Sequence, residues 1–206
     1  AAIALGIMGD DVAKDYFTKN LAYEEQSTDV NRSAVAMSAG LLELRTTVAD
    51  LQDIVKKDGF DPDLRGYAAW ALGIMGDAKS KDLIVDRMKR HRNRRELLRS
   101  GCWAVGLLGN KDDVSHLIDV LKRDDKRYHE VRGAAAIGIG LIGDSSAVQP
   151  LVAIAKGDSN ASNQAFAIVA LGCLIDREPV PRTAQIFTNV HYRKQIPVMK
   201  EVMMNL

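Results

Sequence analysis

The heptapeptide ALGIMGD stands at residues 4–10 and again at residues 71–77. A catalytic loop is rarely spelled twice, whereas a structural module often is, so the duplication points to a period. The glycine inside the heptapeptide marks it. It falls at Gly6, Gly40, Gly73, Gly106, Gly140 and Gly172, at nearly even intervals. The best-preserved copies are LRGYAAWALGIMGD (64–77), LLRSGCWAVGLLGN (97–110) and VRGAAAIGIGLIGD (131–144). NRSAVAMSAGLLEL (31–44) and NQAFAIVALGCLID (163–176) are weaker, and the first copy is already under way at residue 1. About six repeats, the first truncated, therefore occupy residues 1–178.

Each copy carries the chemistry of a helix end. Small and apolar residues recur at helical spacing, and Gly76, Gly109 or Gly143 then supplies the left-handed residue expected past a helix C-terminus. Asp77, Asn110 or Asp144 follows, a short polar side chain suited to free backbone N–H groups. A second apolar helix comes next: LIVDRMKR (83–90), VSHLIDVLKR (114–123) or AVQPLVAIAK (147–156). Pro62 and Pro150 fall at helix starts, where a missing N–H costs little. LAYEEQSTDVN (21–31) reads as a longer polar loop between repeats. One helical hairpin of about 33 residues cannot bury its own apolar faces, but stacked hairpins can. No alternating strand pattern of any length occurs, so the chain is expected to be an all-α solenoid.

The pattern V-R-x-A-A-x-x-A-L-G-x-I-G-D, followed by a short turn and A-V-x-P-L, resembles the HEAT repeat, most of all the bacterial branch related to phycobilin-lyase repeats. Residues 131–156 match it nearly position for position. The resemblance implies a right-handed superhelix of hairpins acting as a binding surface or scaffold. It also implies that the first-turn arginine bonds an acidic residue of a neighbouring repeat. Arg32, Arg65 and Arg132 match that position, Gln164 departs from it, and Arg99 is displaced by one residue.

In the HEAT family the glycine-bearing helix lines the concave side, with variable and usually polar residues at two exposed positions four apart. Here those columns hold Ile3/Ile7, Met37/Leu41, Trp70/Ile74, Trp103/Leu107, Ile137/Leu141 and Val169/Cys173. Spacing of four keeps each pair on one helix face, and stacking aligns the pairs. The expectation is an apolar stripe with both tryptophans adjacent at its centre. Open, such a stripe marks an interaction site, and Trp70, Ile74, Trp103, Leu107, Ile137 and Leu141 would bind a protein or peptide partner. Covered, by tight curvature or by the C-terminal segment, it is core.

A second feature is RMKRHRNRRELLR (87–99), in which seven of thirteen residues are Lys or Arg. Arginine forks match anionic oxygens, so Arg90, Arg92, Arg94, Arg95 and Arg99 are the alternative site, for nucleic acid or another anionic ligand. The plainer reading is a solvated loop whose cations suit helix C-termini. A smaller cluster, KRDDKRYH (122–129), lies one period later and is diluted by Asp124 and Asp125. The net charge of +1 gives no overall bias toward polyanions.

Enzyme readings find little support. A di-iron hydroxylase of this architecture needs His-Glu pairs on successive helices, and the chain has one, His129-Glu130. The four histidines are scattered, so no metal or cofactor is expected. GIGLIG (138–143) is formally G-x-G-x-x-G but sits at a helix end with no strand before it. A phycobilin lyase would use such a groove for its chromophore, and a few aromatic and basic residues fit that, but nothing specific does; a HEAT-like DNA glycosylase would need a basic groove, and these columns are apolar. Cys102 and Cys173 lie two periods apart, about 20 Å in a regular stack, too far for a disulfide.

No apolar run is long enough to cross a bilayer as a helix, so no membrane span is expected. The repeat pattern stops near Asp176, and REPVPR (177–182) breaks the helix. QIPVMKEVMMNL (195–206) then reads as a helix covering the last repeat, which makes 179–206 a capping segment. A first residue that is not Met, inside a helix, suggests a fragment of a longer soluble protein of unknown location. The expected role is a non-catalytic scaffold that binds a protein segment, with the anionic-ligand module or a structural spacer as alternatives.

Overall fold

A computed structural model describes residues 12–21, 29–123 and 126–175. The chain divides into two units, Ala1–Ile175 and Asp176–Leu206. The expected capping segment, the first repeat copy with Ile3 and Ile7, and Asp124 and Asp125 lie outside the described residues.

The described residues form α1 (Val12–Leu21), α2 (Asp29–Leu41), α3 (Val48–Lys56), α4 (Pro62–Ile74), α5 (Lys81–Arg90), α6 (Arg95–Leu108), α7 (Val114–Leu121), α8 (His129–Ile142), α9 (Val148–Gly157) and α10 (Ala161–Ile175). No strand occurs among them. The fold is an all-α solenoid of stacked hairpins. The glycine-bearing helices α2, α4, α6, α8 and α10 pack successively on one another as one layer. The other helices form a second layer, α3, α5, α7 and α9 each packing on the glycine helix that follows it. The expected polar loop at 21–31 is shorter than its sequence suggests, since Leu21 ends α1 and Asp29 begins α2.

The two layers bury different patterns. Second-layer helices bury one stripe, such as Leu51, Ile54 and Val55 on α3 or Ile84 and Met88 on α5, the spacing of a helix with one wet face. First-layer helices lie between neighbours and are buried almost all round, as in Leu64 to Gly73 on α4, where only Tyr67 is half-exposed. This explains their small residues. A Cβ on Gly40 would stand 2.7 Å from Ala71 Cα, one on Gly73 2.8 Å from Ala104 Cα, and one on Gly106 2.6 Å from Gly138 Cα. The repeated glycine is therefore where each helix touches the next, and the alanine two positions before it in the heptapeptide receives the contact from the previous repeat. The same geometry disposes of GIGLIG as a nucleotide loop: Gly138 lies against Cys102 O, Gly140 against Ala170, and Gly143 ends the helix at φ 77°.

Helix ends follow expectation in part. Gly76 (φ 66°) and Gly143 (φ 77°) take the left-handed conformation. Gly109 does not: its φ is −77° and ψ 175°, extended backbone, and the expectation is corrected there. Space sets that glycine instead, because a Cβ would fall 2.4 Å from Val105 O. The weak copy at 31–44 places Glu43 at φ 53°, the only non-glycine residue with positive φ among those described. Asn110 and Asp144 accept from the N–H groups of Asp112 and Ser146. Asp77 does not cap in this way; its Oδ2 accepts from Gln52 Nε2 at 2.9 Å and from Ser80 Oγ. Pro62 is the first residue of α4, behind the capping residue Asp61.

Candidate functional site

The tryptophan columns meet as expected. Trp70 on α4 and Trp103 on α6 lie with ring centroids 4.9 Å apart and planes tilted by 48°. Their exposure differs from an open stripe. Trp70 is 7% exposed, Trp103 6%, and Ile137 is buried, while Ile74 and Leu141 are half-buried and Leu107 is 42% exposed. The cause is the glycine contact beneath them: helices drawn that close leave large rings little room except against each other. The apolar surface is thus centred on Leu107, with Ile74 and Leu141 on the neighbouring helices and the rings forming its floor.

Two polar residues flank this floor one turn nearer the helix starts. Arg99, four positions before Trp103, carries its guanidinium 5.8 Å from the Trp103 ring centroid. Its Nη1 donates to Glu130 Oε2 of α8 at 3.0 Å. Trp103 Nε1 and Arg99 Nε are both buried without a hydrogen-bond acceptor. Buried donors left unmatched cost about 1–3 kcal/mol each, and because both atoms are closed to solvent, an acceptor from outside meets them only after the side chains around them shift. The pairing of Arg99 and Glu130 could have been read from their separation in sequence, which is close to one period; the burial of the indole N–H could not.

The first-turn arginines do more than pair with acids. Arg32 donates to Leu21 O, Arg65 to Val55 O and Arg132 to Leu121 O, at 3.1, 3.2 and 3.0 Å. Each satisfies a carbonyl at the end of the preceding helix, where the dipole favours a cation. Arg132 also pairs with Asp158, and Gln164, in the arginine position of its repeat, donates to Asp158 O at 2.8 Å. Asp158 further accepts from Asn160 N and Asn163 Nδ2. A cavity of ≈ 300 Å³ lies beside this network, walled by Leu121, Arg132, Pro150, Ile154 and Asp158 among others.

The basic stretch does not form a single cluster. Arg90 turns back to Asp86 at 2.9 Å, and Arg99 belongs to the tryptophan face. Arg92, Arg94 and Arg95 are exposed, and Arg123 Nη1 donates to Arg92 O at 2.7 Å. A tighter group lies beside them, around Asp58 of the loop between α3 and α4. Asp58 Oδ1 is 3.1 Å from Arg65 Nη2, 3.3 Å from Arg87 Nη1 and 2.9 Å from His91 Nε2. Desolvation would raise the carboxyl, but the charges of His91, Arg65 and Arg87 outweigh it and hold Asp58 below the ordinary carboxylate range. Sequence spacing did not reveal this group, because its members come from two loops and two helices.

The side chains of the lone His-Glu pair are engaged apart from each other: His129 Nδ1 faces Asn163 Nδ2 at 3.3 Å, and Glu130 pairs with Arg99. Among the described residues no group of three or more His, Cys, Asp or Glu is placed to hold a metal ion, and no helix is long and apolar enough to cross a membrane. Cys102 is buried and Cys173 exposed, both as free thiols.

Two family models match the chain. HEAT repeats match residues 48–129, and the PBS lyase HEAT-like repeat matches residues 131–157. Together they span more than half of the sequence. Among solved structures, human deoxyhypusine hydroxylase in complex with glycerol is similar, with a TM-score of 0.52 and 16% sequence identity over 84% of this chain and 77% of that one. At that identity the likeness is one of fold. No curated protein matches the sequence significantly.

Proposed function

Because this chain is a HEAT-repeat protein, a class generally built for protein interaction, we propose that it is a non-catalytic scaffold that holds a partner's polypeptide segment across its glycine-helix layer. The segment lies over Leu107, Ile74 and Leu141, with Trp70, Trp103 and Ile137 as the floor beneath. The observation that carries this reading is the exposed Leu107, one turn along α6 from the buried Trp103, whose Nε1, like Arg99 Nε, has no acceptor in the free chain. A polypeptide backbone offers carbonyl acceptors alongside apolar side chains, which is what this combination requires. Nothing in the reading calls for a bound metal. His129 and Glu130, the one pair that matches a hydroxylase's needs, are engaged with Asn163 and Arg99.

The test is selection of binders from a random peptide library, followed by affinity measurement on Leu107→Glu and Trp103→Phe. Selected peptides should lose about tenfold or more in affinity on Leu107→Glu, about 1.4 kcal/mol. They should keep most of their affinity in moderate salt, because the contact is apolar. Binders that ignore both substitutions would overturn the assignment of the surface, and a chain that enriches no peptide would be a spacer.

A further inference from the structure

Asp58 and Asp158, in the loops that enter α4 and α10, hold the same place in the period, and in the sequence Asp124 falls at that place too. The copy one period after Asp58 has His91 instead. Asp158 shows what the acid does, since it pairs with Arg132, the first-turn arginine of the previous repeat. The corresponding arginine for His91 is Arg65, so an acid-to-histidine exchange removes the carboxylate that Arg65 would otherwise meet. Asp58 reaches forward from the preceding loop to meet it instead, through one oxygen shared with Arg65, Arg87 and His91.

The result is a local excess of positive charge held in place by burial. The Arg65 side chain is 3% exposed and that of Arg87 12%, so neither guanidinium has to be ordered on binding. Arg87 Nε is buried without a hydrogen bond and faces Asp86 Oδ2 at 3.7 Å. Arg94 is tied to His91, its N–H donating to His91 O at 3.0 Å, and its charge adds to the burial that lowers the Arg65 guanidinium below its ordinary value. Arg94 precedes α6, whose start has no side-chain cap and lies against α4, where Gly66 faces Glu96 O. The Asp58 side chain, by contrast, is 64% exposed, and it is followed by Gly59, around which space is open. Arg65 and Arg87 are fixed, and the carboxylate they hold is the exposed partner.

We propose that Arg65, Arg87, His91 and Arg94 form a binding site for a phosphomonoester dianion, in which Asp58 is the resident carboxylate that the phosphoryl group displaces. Two fixed guanidinium groups suit the oxygens of a tetrahedral dianion. The site is a point rather than a track. Asp86 borders it, with Oδ2 3.7 Å from Arg87 Nε, which favours an isolated phosphoryl group over the continuous backbone of a nucleic acid. The site is separate from the tryptophan face, and Leu107→Glu should leave it unchanged.

The experiment is a titration of the whole chain with inorganic phosphate at constant ionic strength, followed by the arginine Nε–Hε and His91 ring signals in ¹H–¹⁵N spectra. A phosphoserine peptide and a DNA duplex serve as parallel probes. Asp58→Asn should tighten phosphate binding about tenfold by removing the competing carboxylate, and Arg94→Gln in that background should reverse most of the gain. Saturation by phosphate alone identifies a free phosphate or small phosphomonoester as the ligand, and stronger saturation by the phosphoserine peptide identifies a modified protein. The proposal is overturned if phosphate shifts these signals no more than chloride in either variant. It is also overturned if only the duplex binds, with a steep salt dependence, because the loop is then a polyanion contact. Should Asp58→Asn fail to fold, Arg94→Gln in the otherwise native chain decides alone: Arg94 is exposed, and unchanged phosphate binding there removes the site.

Discussion

Gly73 of α4 faces Ala104 of α6, and a Cβ on Gly73 would stand 2.8 Å from the Ala104 Cα. Within the same heptapeptide, Ala71 receives the corresponding contact from Gly40 of the preceding glycine helix. The Ala-x-Gly at the start of ALGIMGD therefore contains both halves of one interface, the half that receives and the half that presents. A sequence carrying both halves can stack on itself without limit, which is why the heptapeptide recurs. Gly73→Ala should destabilise the chain by about 1–2 kcal/mol, the crowding outweighing alanine's helix preference. At Gly172 no atom of the described residues lies within 4 Å of the same atom, so Gly172→Ala should stabilise by about 0.5–1 kcal/mol. Urea unfolding of the two variants measures both. Equal effects would mean that the glycine column is not an interface.

Glu43 holds a glycine's place. Its N–H donates to Gly40 O at 3.1 Å and the next N–H, of Leu44, to Ala39 O at 2.9 Å. Gly76 and Asp77 make the equivalent bonds to Gly73 and Leu72 one period later. Only the side chain differs, and a Cβ in the left-handed region costs about 1–2 kcal/mol. Glu43→Gly should therefore stabilise by about 1 kcal/mol after the extra backbone entropy of glycine is counted. Denaturant titration checks it, and a loss of stability would show that the glutamate side chain contributes more than its backbone strain costs.

Asp58 ties the acid limb of stability to Arg65, Arg87 and His91. Its folded carboxyl titrates below the ordinary value of about 3.9. A depressed carboxyl contributes stability that is present above that ordinary value and lost as pH falls through the folded one. The native chain should thus be more stable than Asp58→Asn through the neutral range, and the gap should close below about pH 3.9. Thermal or urea unfolding of both chains across pH tests this. A gap that persists at the lowest pH would mean that the carboxylate is not the source.

The two thiols should behave as opposites. Burial pushes the Cys102 thiol well up, beyond ordinary titration, whereas Cys173 is exposed. A thiol reagent should label Cys173 at once in the native chain and reach Cys102 only through unfolding. Mass spectrometry over time distinguishes them, and early labelling of Cys102 would contradict the packing of α6 against α8.

The period, the all-α class, the hairpin and the adjacency of Trp70 and Trp103 were legible because each is a one-dimensional pattern. Helical spacing plus a fixed repeat places columns without any knowledge of distance. Distance is what the columns lack. Whether the rings of Trp70 and Trp103 face solvent depends on how closely α4 and α6 approach, and that is set by Gly73 beneath them rather than by the rings. Gly109 is extended although its sequence context matches that of Gly76 and Gly143, since there the glycine answers to Val105 O rather than to φ. The Asp58 group was invisible for another reason. Arg65 is near Asp58 in sequence, but Arg87 and His91 lie about a full period away, and the four become a group only when the loops of two repeats are stacked.

A partner segment that displaces the side chains around Trp103 should supply the acceptor its buried indole N–H lacks. With only two tryptophans in the chain, a ¹H–¹⁵N spectrum shows two indole signals, assigned by Trp70→Phe. Recorded with a selected peptide at saturation, the Trp103 indole proton should move downfield as it gains a hydrogen bond, and the Trp70 signal should move less. An indole signal for Trp103 that stays in place while the peptide is bound would contradict the account.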